Sequence, residues 1–186
     1  MKNPAEAERS YLSVYNNDDV GTGHARSMLD SVQAWSAAAY AVKSQWMQID
    51  LGTLMSVTGV ITQGRQDRDQ WVTGYTISTS TDGNTWTPVN RGQTFRGNTD
   101  SGSKVNHVFS PVSARSVRLY VKTWHSYISM RAGVITSGIT HHDHEQCISC
   151  MSKLHTCVQH TLYCQGCDAM PMDQDGCACT DVGLSP

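Results

Sequence analysis

Charge is scarce in this chain. Lysine, arginine, aspartate and glutamate make up 16% of its 186 residues and sum to −2 with histidine neutral, against about 25% charged in an ordinary soluble domain. Without a basic excess there is no field to gather phosphates, so nucleic acid is excluded as a partner. No apolar run approaches the ~18 residues of a spanning helix. The opening MKNPAEAERSYLSV lacks the ~7–15-residue apolar stretch of a signal peptide, which sets a cytoplasmic location among the expectations. Cysteine is missing from residues 1–140, so that stretch must hold itself together by burial. Missing too are an activated nucleophile, a paired-carboxylate motif and a phosphate-cradling glycine loop in a fitting context. No catalysis is expected.

What is abundant is serine and threonine, 38 residues together, beside 39% apolar residues. Hydroxyls on a weakly charged surface suit short strands and turns, and the apolar period is two. Met47, Ile49 and Leu51 alternate with Trp46, Gln48 and Asp50; Val117, Leu119 and Val121 alternate with Arg118, Tyr120 and Lys122. Val57–Thr62, Tyr75–Thr79, Val105–Phe109 and Met130–Val134 read as further strands, and Asp82-Gly83-Asn84 as a hairpin turn. Only Gly23 to Ala41 has room for a short helix, and its apolar pattern there is weak. Trp35, Trp46 and Trp86 are expected to be core or strand-packing residues. The pattern predicts an antiparallel sandwich or barrel.

The chain changes character near residue 140. Residues 1–140 carry a net +3; residues 141–186 carry −5, all seven cysteines and five of eight histidines. We expect residues 1–138 to form a β-sandwich domain and 139–186 a small Cys/His-rich tail domain. So short a segment needs a staple in place of a core. Two Cys-x-x-Cys knuckles, Cys147/Cys150 and Cys164/Cys167, stand 13 residues apart, which matches a four-thiolate zinc site. Disulfides are the competing reading, because dense cysteine in a core-poor segment is also their signature.

Several blocks in the first domain resemble the discoidin family, also called coagulation factor V/VIII type-C domains. They are Arg26–Ser31 with Ala34-Trp35-Ser36-Ala37, Gln45–Gly52, Val57–Arg65, Gln70-Trp71-Val72-Thr73, Ser80–Gly83, and Thr123-Trp124 with Ile128-Ser129-Met130-Arg131. They occur in family order over about residues 10–135. The resemblance implies an all-β jelly-roll β-sandwich with a crown of ligand-binding loops at one end and no catalysis. It implies an extracellular or cell-surface location and ligands such as galactose-type glycans, glycoproteins, other proteins or anionic membranes, with homo-oligomers within the family's range. Two departures stand out. Many extracellular members tie the domain ends with a disulfide, and no cysteine is available here. Related carbohydrate-binding modules hold a structural calcium through a glutamate on the last strand, where this chain has Arg131-Ala132-Gly133-Val134; Asp30 is a lone carboxylate against the six to eight oxygens calcium takes, so calcium is weakly supported.

The crown residues follow from type and from family position. Asn16, Asn17 and Asp18, then Arg65 and Asp67, then Trp124 and His125 are the candidates for a sugar, whose apolar face stacks on a ring while carboxylate, amide and guanidinium meet its hydroxyls. Arg65 matches a ligand-contacting arginine of the family; equally, it is placed to pair with Asp67 or Asp69 across a loop. These loops are acidic and amidic with few apolar tips, which makes membrane binding the weaker option. The non-lectin alternative is an assembly protein that docks partners through the same loops and the tail.

Overall fold

The computed structural model describes residues 1–38 and 44–137. The expected boundary after residue 138, and with it Cys147, Cys150, Cys164 and Cys167, lies outside the described residues. Eight strands make up the regular structure: β1 (Arg9–Tyr11), β2 (Trp35–Ser36), β3 (Trp46–Gln63), β4 (Trp71–Ser80), β5 (Thr87–Pro88), β6 (Phe95–Arg96), β7 (Val105–His125) and β8 (Ser129–Ser137). Every pairing is antiparallel. The hydrogen-bonded order is β2-β8-β3-β7-β4-β5, with β1 added to β3 and β6 added to β4.

Two long strands produce the layering. The first part of β3 pairs with β1 and with the 116–120 stretch of β7. After a register shift between Asp50 and Met55, its second part pairs with β8 and with the 105–114 stretch of β7. Each long strand so passes from one layer to the other, and the sheet folds over on itself as the expected jelly-roll sandwich. The period-two faces resolve as predicted: Met47, Ile49, Val117, Leu119 and Val121 point inward and join Val57, Val60, Ile77, Ala132, Val134 and Trp35 in one core. Each such side chain contributes roughly 1.5–3 kcal/mol on burial. Trp46 and Trp86 pack on the outer face instead, with the Arg118 guanidinium held between their rings at 4.0 and 3.8 Å. The predicted turn joins β4 to β5, with Gly83 at φ +79° and the Asp82 carboxylate accepting from the N–H groups of Asn84 and Thr85, both at 2.8 Å.

No α-helix occurs among the described residues; residues 23–38, the described part of the one stretch with room for a helix, form turns and β2. The reason is a competition for backbone donors. Glu6 carboxylate oxygens accept from the N–H of Ser27 at 2.9 Å and of Met28 at 3.0 Å. Asn3 Oδ1 takes Leu29 N–H, Gln63 Oε1 takes Asp30 N–H, and Asp18 Oδ2 takes His24 N–H. Side chains from elsewhere satisfy the donors that a helix would have satisfied internally.

The domain ends are tied without sulfur. Lys2 and Val134 exchange backbone hydrogen bonds at 2.7 and 2.9 Å. Beside them Arg9, 3% exposed, donates through Nη1 to Ser27 O and Ala132 O at 2.8 and 2.9 Å. Its Nε and Nη2 donate to Pro4 O, and Nη2 also to Asn3 Oδ1. One buried guanidinium thereby joins the first residues, the Ser27 turn and the last strand.

Candidate functional site

The loops after β3 and β7, together with residues 15–38, gather at one pole of the sandwich. Tyr15–Asn17 is a single 3-10 turn in which Asn16 and Asn17 adopt φ of +60° and +54°, a conformation asparagine tolerates. The turn leaves both asparagines exposed. Asp18 follows, half-buried, and its Oδ2 accepts from His24 N at 2.8 Å and meets His24 Nδ1 at 2.7 Å. Those hydrogen bonds from His24 hold the Asp18 carboxyl below the usual carboxylate range. Gly23, at φ +40°, is needed there because a Cβ would collide with that carboxylate.

Arg65 is the anchor of a polar network under this turn. It is 8% exposed. Its Nε and Nη2 donate to Asp67 Oδ1 and Oδ2 at 2.6 and 3.1 Å, a two-pronged pair. Nη1 donates to Gln70 Oε1 at 3.2 Å and reaches Ser36 Oγ at 3.5 Å. With the Gln33 amide oriented to suit its neighbours, its oxygen accepts from Arg65 Nη2 at 3.1 Å and its nitrogen donates to Gly23 O. All five guanidinium N–H groups are so engaged, and Gln33 links Arg65 to the Asp18–His24 turn. Hydrogen bonding to Arg65 holds the Asp67 carboxyl below its usual range. The Asp67 side chain is 44% exposed. Of the two readings of Arg65, pairing with Asp67 is what the structure displays, and Asp67 is the group turned to solvent.

The aromatic surface beside these carboxylates is not the expected one. Tyr15, 41% exposed, stands edge-on to His24 and to Tyr127 with ring centroids 4.7 and 6.0 Å apart. The Tyr127 hydroxyl donates to Ala37 O at 3.0 Å. Trp124 pairs with Val72 in the register and rests, half-buried, against the core. His125 lies elsewhere on the pole: its ring stacks on Trp71 at 4.2 Å and 13°, and its Nε2 is 3.1 Å from Asp69 Oδ2. The structure brings Asn16, Asn17, Asp18, Arg65 and Asp67 together through this network, and sets His125 with Trp71 on the flank. Sequence reading missed Gln33 and Gln70, and did not place His24 beside Asp18. The one local signal for His24 was an aspartate six residues upstream in a glycine-rich turn.

The calcium that related modules hold, for which the sequence gives little support, does not fit the residues present. Calcium takes six to eight oxygens, and the last strand meets this region with a cation of its own. Arg131, 0% exposed, donates to Gly64 O and Ser31 O, both at 2.7 Å, and to Ser101 O at 2.9 Å. A side chain at Gly133 would run into Leu29 Cδ1 and the Lys2 carbonyl. The Asp30 carboxylate bonds Lys104 Nζ at 2.7 Å and Gln63 Nε2 at 3.2 Å. Among the described residues no three His, Cys, Asp or Glu side chains cluster as metal ligands, and no helix is long and apolar enough to cross a membrane.

Comparison with known proteins agrees with this architecture. The F5/8 type C domain model matches residues 10–134, about two-thirds of the chain, and the chain belongs to that family. Lactadherin of Rattus norvegicus is 40% identical over 106 residues, which is 54% of this chain and 25% of that protein. The structure of wild-type discoidin II from Dictyostelium discoideum matches with a TM-score of 0.55 at 28% identity, over 69% of this chain and 49% of that one. The family 32 CBM from C. perfringens NanJ, solved in complex with galactose, matches with a TM-score of 0.53 at 14% identity, over 72% of this chain and 93% of that one; that likeness is one of fold. The chain spans about a quarter of lactadherin and about half of discoidin II.

Proposed function

We propose that this chain is a non-catalytic, extracellular or cell-surface binding module that holds a galactose-type glycan at the pole. The observation that carries this reading is the gathering at the pole of two ionised carboxylates, Asp18 and Asp67, with the exposed Tyr15 ring that packs on half-buried His24 and Tyr127, the carboxylates braced by one buried guanidinium. A pyranose presents an apolar CH face and a ring of hydroxyls. Tyr15 offers the first a platform, and the carboxylates accept from the second. Arg65 acts as a positioning residue, since its donors are already engaged. The galactose-bound CBM of like fold and the kinship with discoidin support the same ligand class. Calorimetric titration with methyl β-galactoside tests the reading. Asp67→Asn should weaken binding about tenfold, as loss of a charge-assisted hydrogen bond does; equal affinity in that variant, or no heat with the wild type, would overturn it.

One observation favours the second reading, a protein ligand on the same loops. Because the Arg65 network is closed internally, the pole is a preformed surface of the kind that docks a partner with little rearrangement. Kinship with lactadherin is compatible with that use, as is self-association. The galactoside titration decides between the two.

A further inference from the structure

A cleft of about 320 Å³ lies on the flank of the pole, at the lower end of the ~300–1,000 Å³ of small-molecule sites. None of its lining residues belongs to the Asp18–Gln33–Arg65–Asp67 network. Its floor is β4 at Thr73, whose hydroxyl donates to Thr123 Oγ1 at 2.8 Å. One wall is the stacked Trp71–His125 pair, braced by Asp69. The facing wall is the segment 96–99, pinned to β4 by Gly97 N–H donating to Thr73 O at 2.8 Å and Asn98 N–H donating to Val72 O at 2.9 Å. Asn98 Nδ2 fixes the segment from behind through Thr62 O and Ser103 O. Both walls are therefore built before any ligand arrives.

What the cleft contains points to a ligand. The Arg96 guanidinium is exposed and makes no side-chain hydrogen bond or ion pair with any described residue. Across from it stand indole and imidazole, with Thr73 and Thr99 between. An unengaged guanidinium takes a carboxylate or sulfate by two parallel hydrogen bonds. The indole offers a planar apolar surface to a ring CH face, and the threonines take hydroxyls. A neutral sugar would leave Arg96 unused, and a bare anion would leave the aromatic wall unused. We propose that this cleft is a second saccharide site, for a pyranose unit that carries an anionic group, carboxylate or sulfate. The inference does not depend on what binds at the pole.

The test is calorimetry and indole fluorescence on the full chain, with trigalacturonate, its methyl ester and galactose 6-sulfate as probes. At least one of the two anionic probes binds and perturbs indole fluorescence, and which one does identifies the anionic group. Arg96→Gln, which alters an exposed side chain and leaves the backbone pairing of β6 in place, weakens that binding at least ~10-fold, Arg96→Lys restores part of it, and the methyl ester binds more weakly than the acid. Arg96→Gln leaves the galactoside titration at the pole unchanged, so failure here and failure at the pole are separate results. Failure of both anionic probes to bind, an Arg96→Gln variant that titrates like the wild type, or equal affinity for ester and acid would each overturn the proposal.

Discussion

Replacing Arg131 by methionine is the most informative perturbation of the fold. The substitution keeps most of the side-chain volume and removes only the guanidinium. Three carbonyls, those of Ser31, Gly64 and Ser101, then lose a charged donor at 2.7–2.9 Å. Each acceptor left buried without a partner costs about 1–3 kcal/mol. Some regain water as the loops loosen, so the expected loss is about 3–5 kcal/mol, the range seen on breaking buried charged contacts. For a unit of this size that is roughly a 10–20 °C drop in Tm, a large share of the ~5–15 kcal/mol that holds a domain folded. Differential scanning calorimetry measures it. The companion measurement is Tm of the wild type with EDTA and with added calcium, which should coincide, because the described residues gather no carboxylate set for calcium and Asp30 is already engaged by Lys104. A loss under ~1 kcal/mol in Arg131→Met, or a wild type that EDTA destabilises through calcium loss, would refute the reasoning.

Other expectations follow from the same contacts. Arg9→Ala should lower Tm by an amount comparable to Arg131→Met, and hydrogen exchange should speed first at Ser27 and along β8, since Arg9 ties those segments to the first residues. The Asp18 and Asp67 carboxyls sit below their unfolded value, so their contribution is complete above about pH 4 and is lost as pH falls through the lowered values. Acid titration of Tm should accordingly show a shallower fall in Asp67→Asn than in the wild type. The tail cysteines Cys147, Cys150, Cys164 and Cys167 are expected to hold one zinc ion. Native mass spectrometry should find one zinc and four thiols that alkylate only after denaturation, whereas a loss of about 2 Da per pair relative to the reduced chain would assign disulfides.

The strands could be read in advance because period-two patterning and turn chemistry are local: Met47 and Ile49, Val117 to Val121, and Asp82-Gly83 each carry their own signal. Two of the three buried arginines, Arg9 and Arg131, could not. Arg9 and Arg131 look like surface cations until the acceptors arrive from Pro4, Ser27, Gly64 and Ser101, up to 123 residues away in the case of Ala132. The absence of a helix over residues 23–38 has the same origin, because the donors are taken by Glu6, Asn3 and Gln63, which no local window contains. At the pole, Asp18, Arg65 and Asp67 were legible as residue types in loops. Their connection was not, since Gln33, Ser36 and Gln70 are amides and a hydroxyl without a motif. Trp124 and His125 are neighbours in sequence, yet one rests on the core while the other stacks on Trp71, a separation that follows from the alternation of a strand end.

The most direct measurement of the central claim is an amide chemical-shift map of the full chain titrated with methyl β-galactoside. A sugar held at the pole shifts the amides of Asn16, Asn17, Asp18, His24, Asp67 and Tyr127, and those shifts need about tenfold more sugar in Asp67→Asn. Shifts confined to the opposite end, around Gly52 and Asp82, or a spectrum that the sugar leaves unmoved, would contradict it.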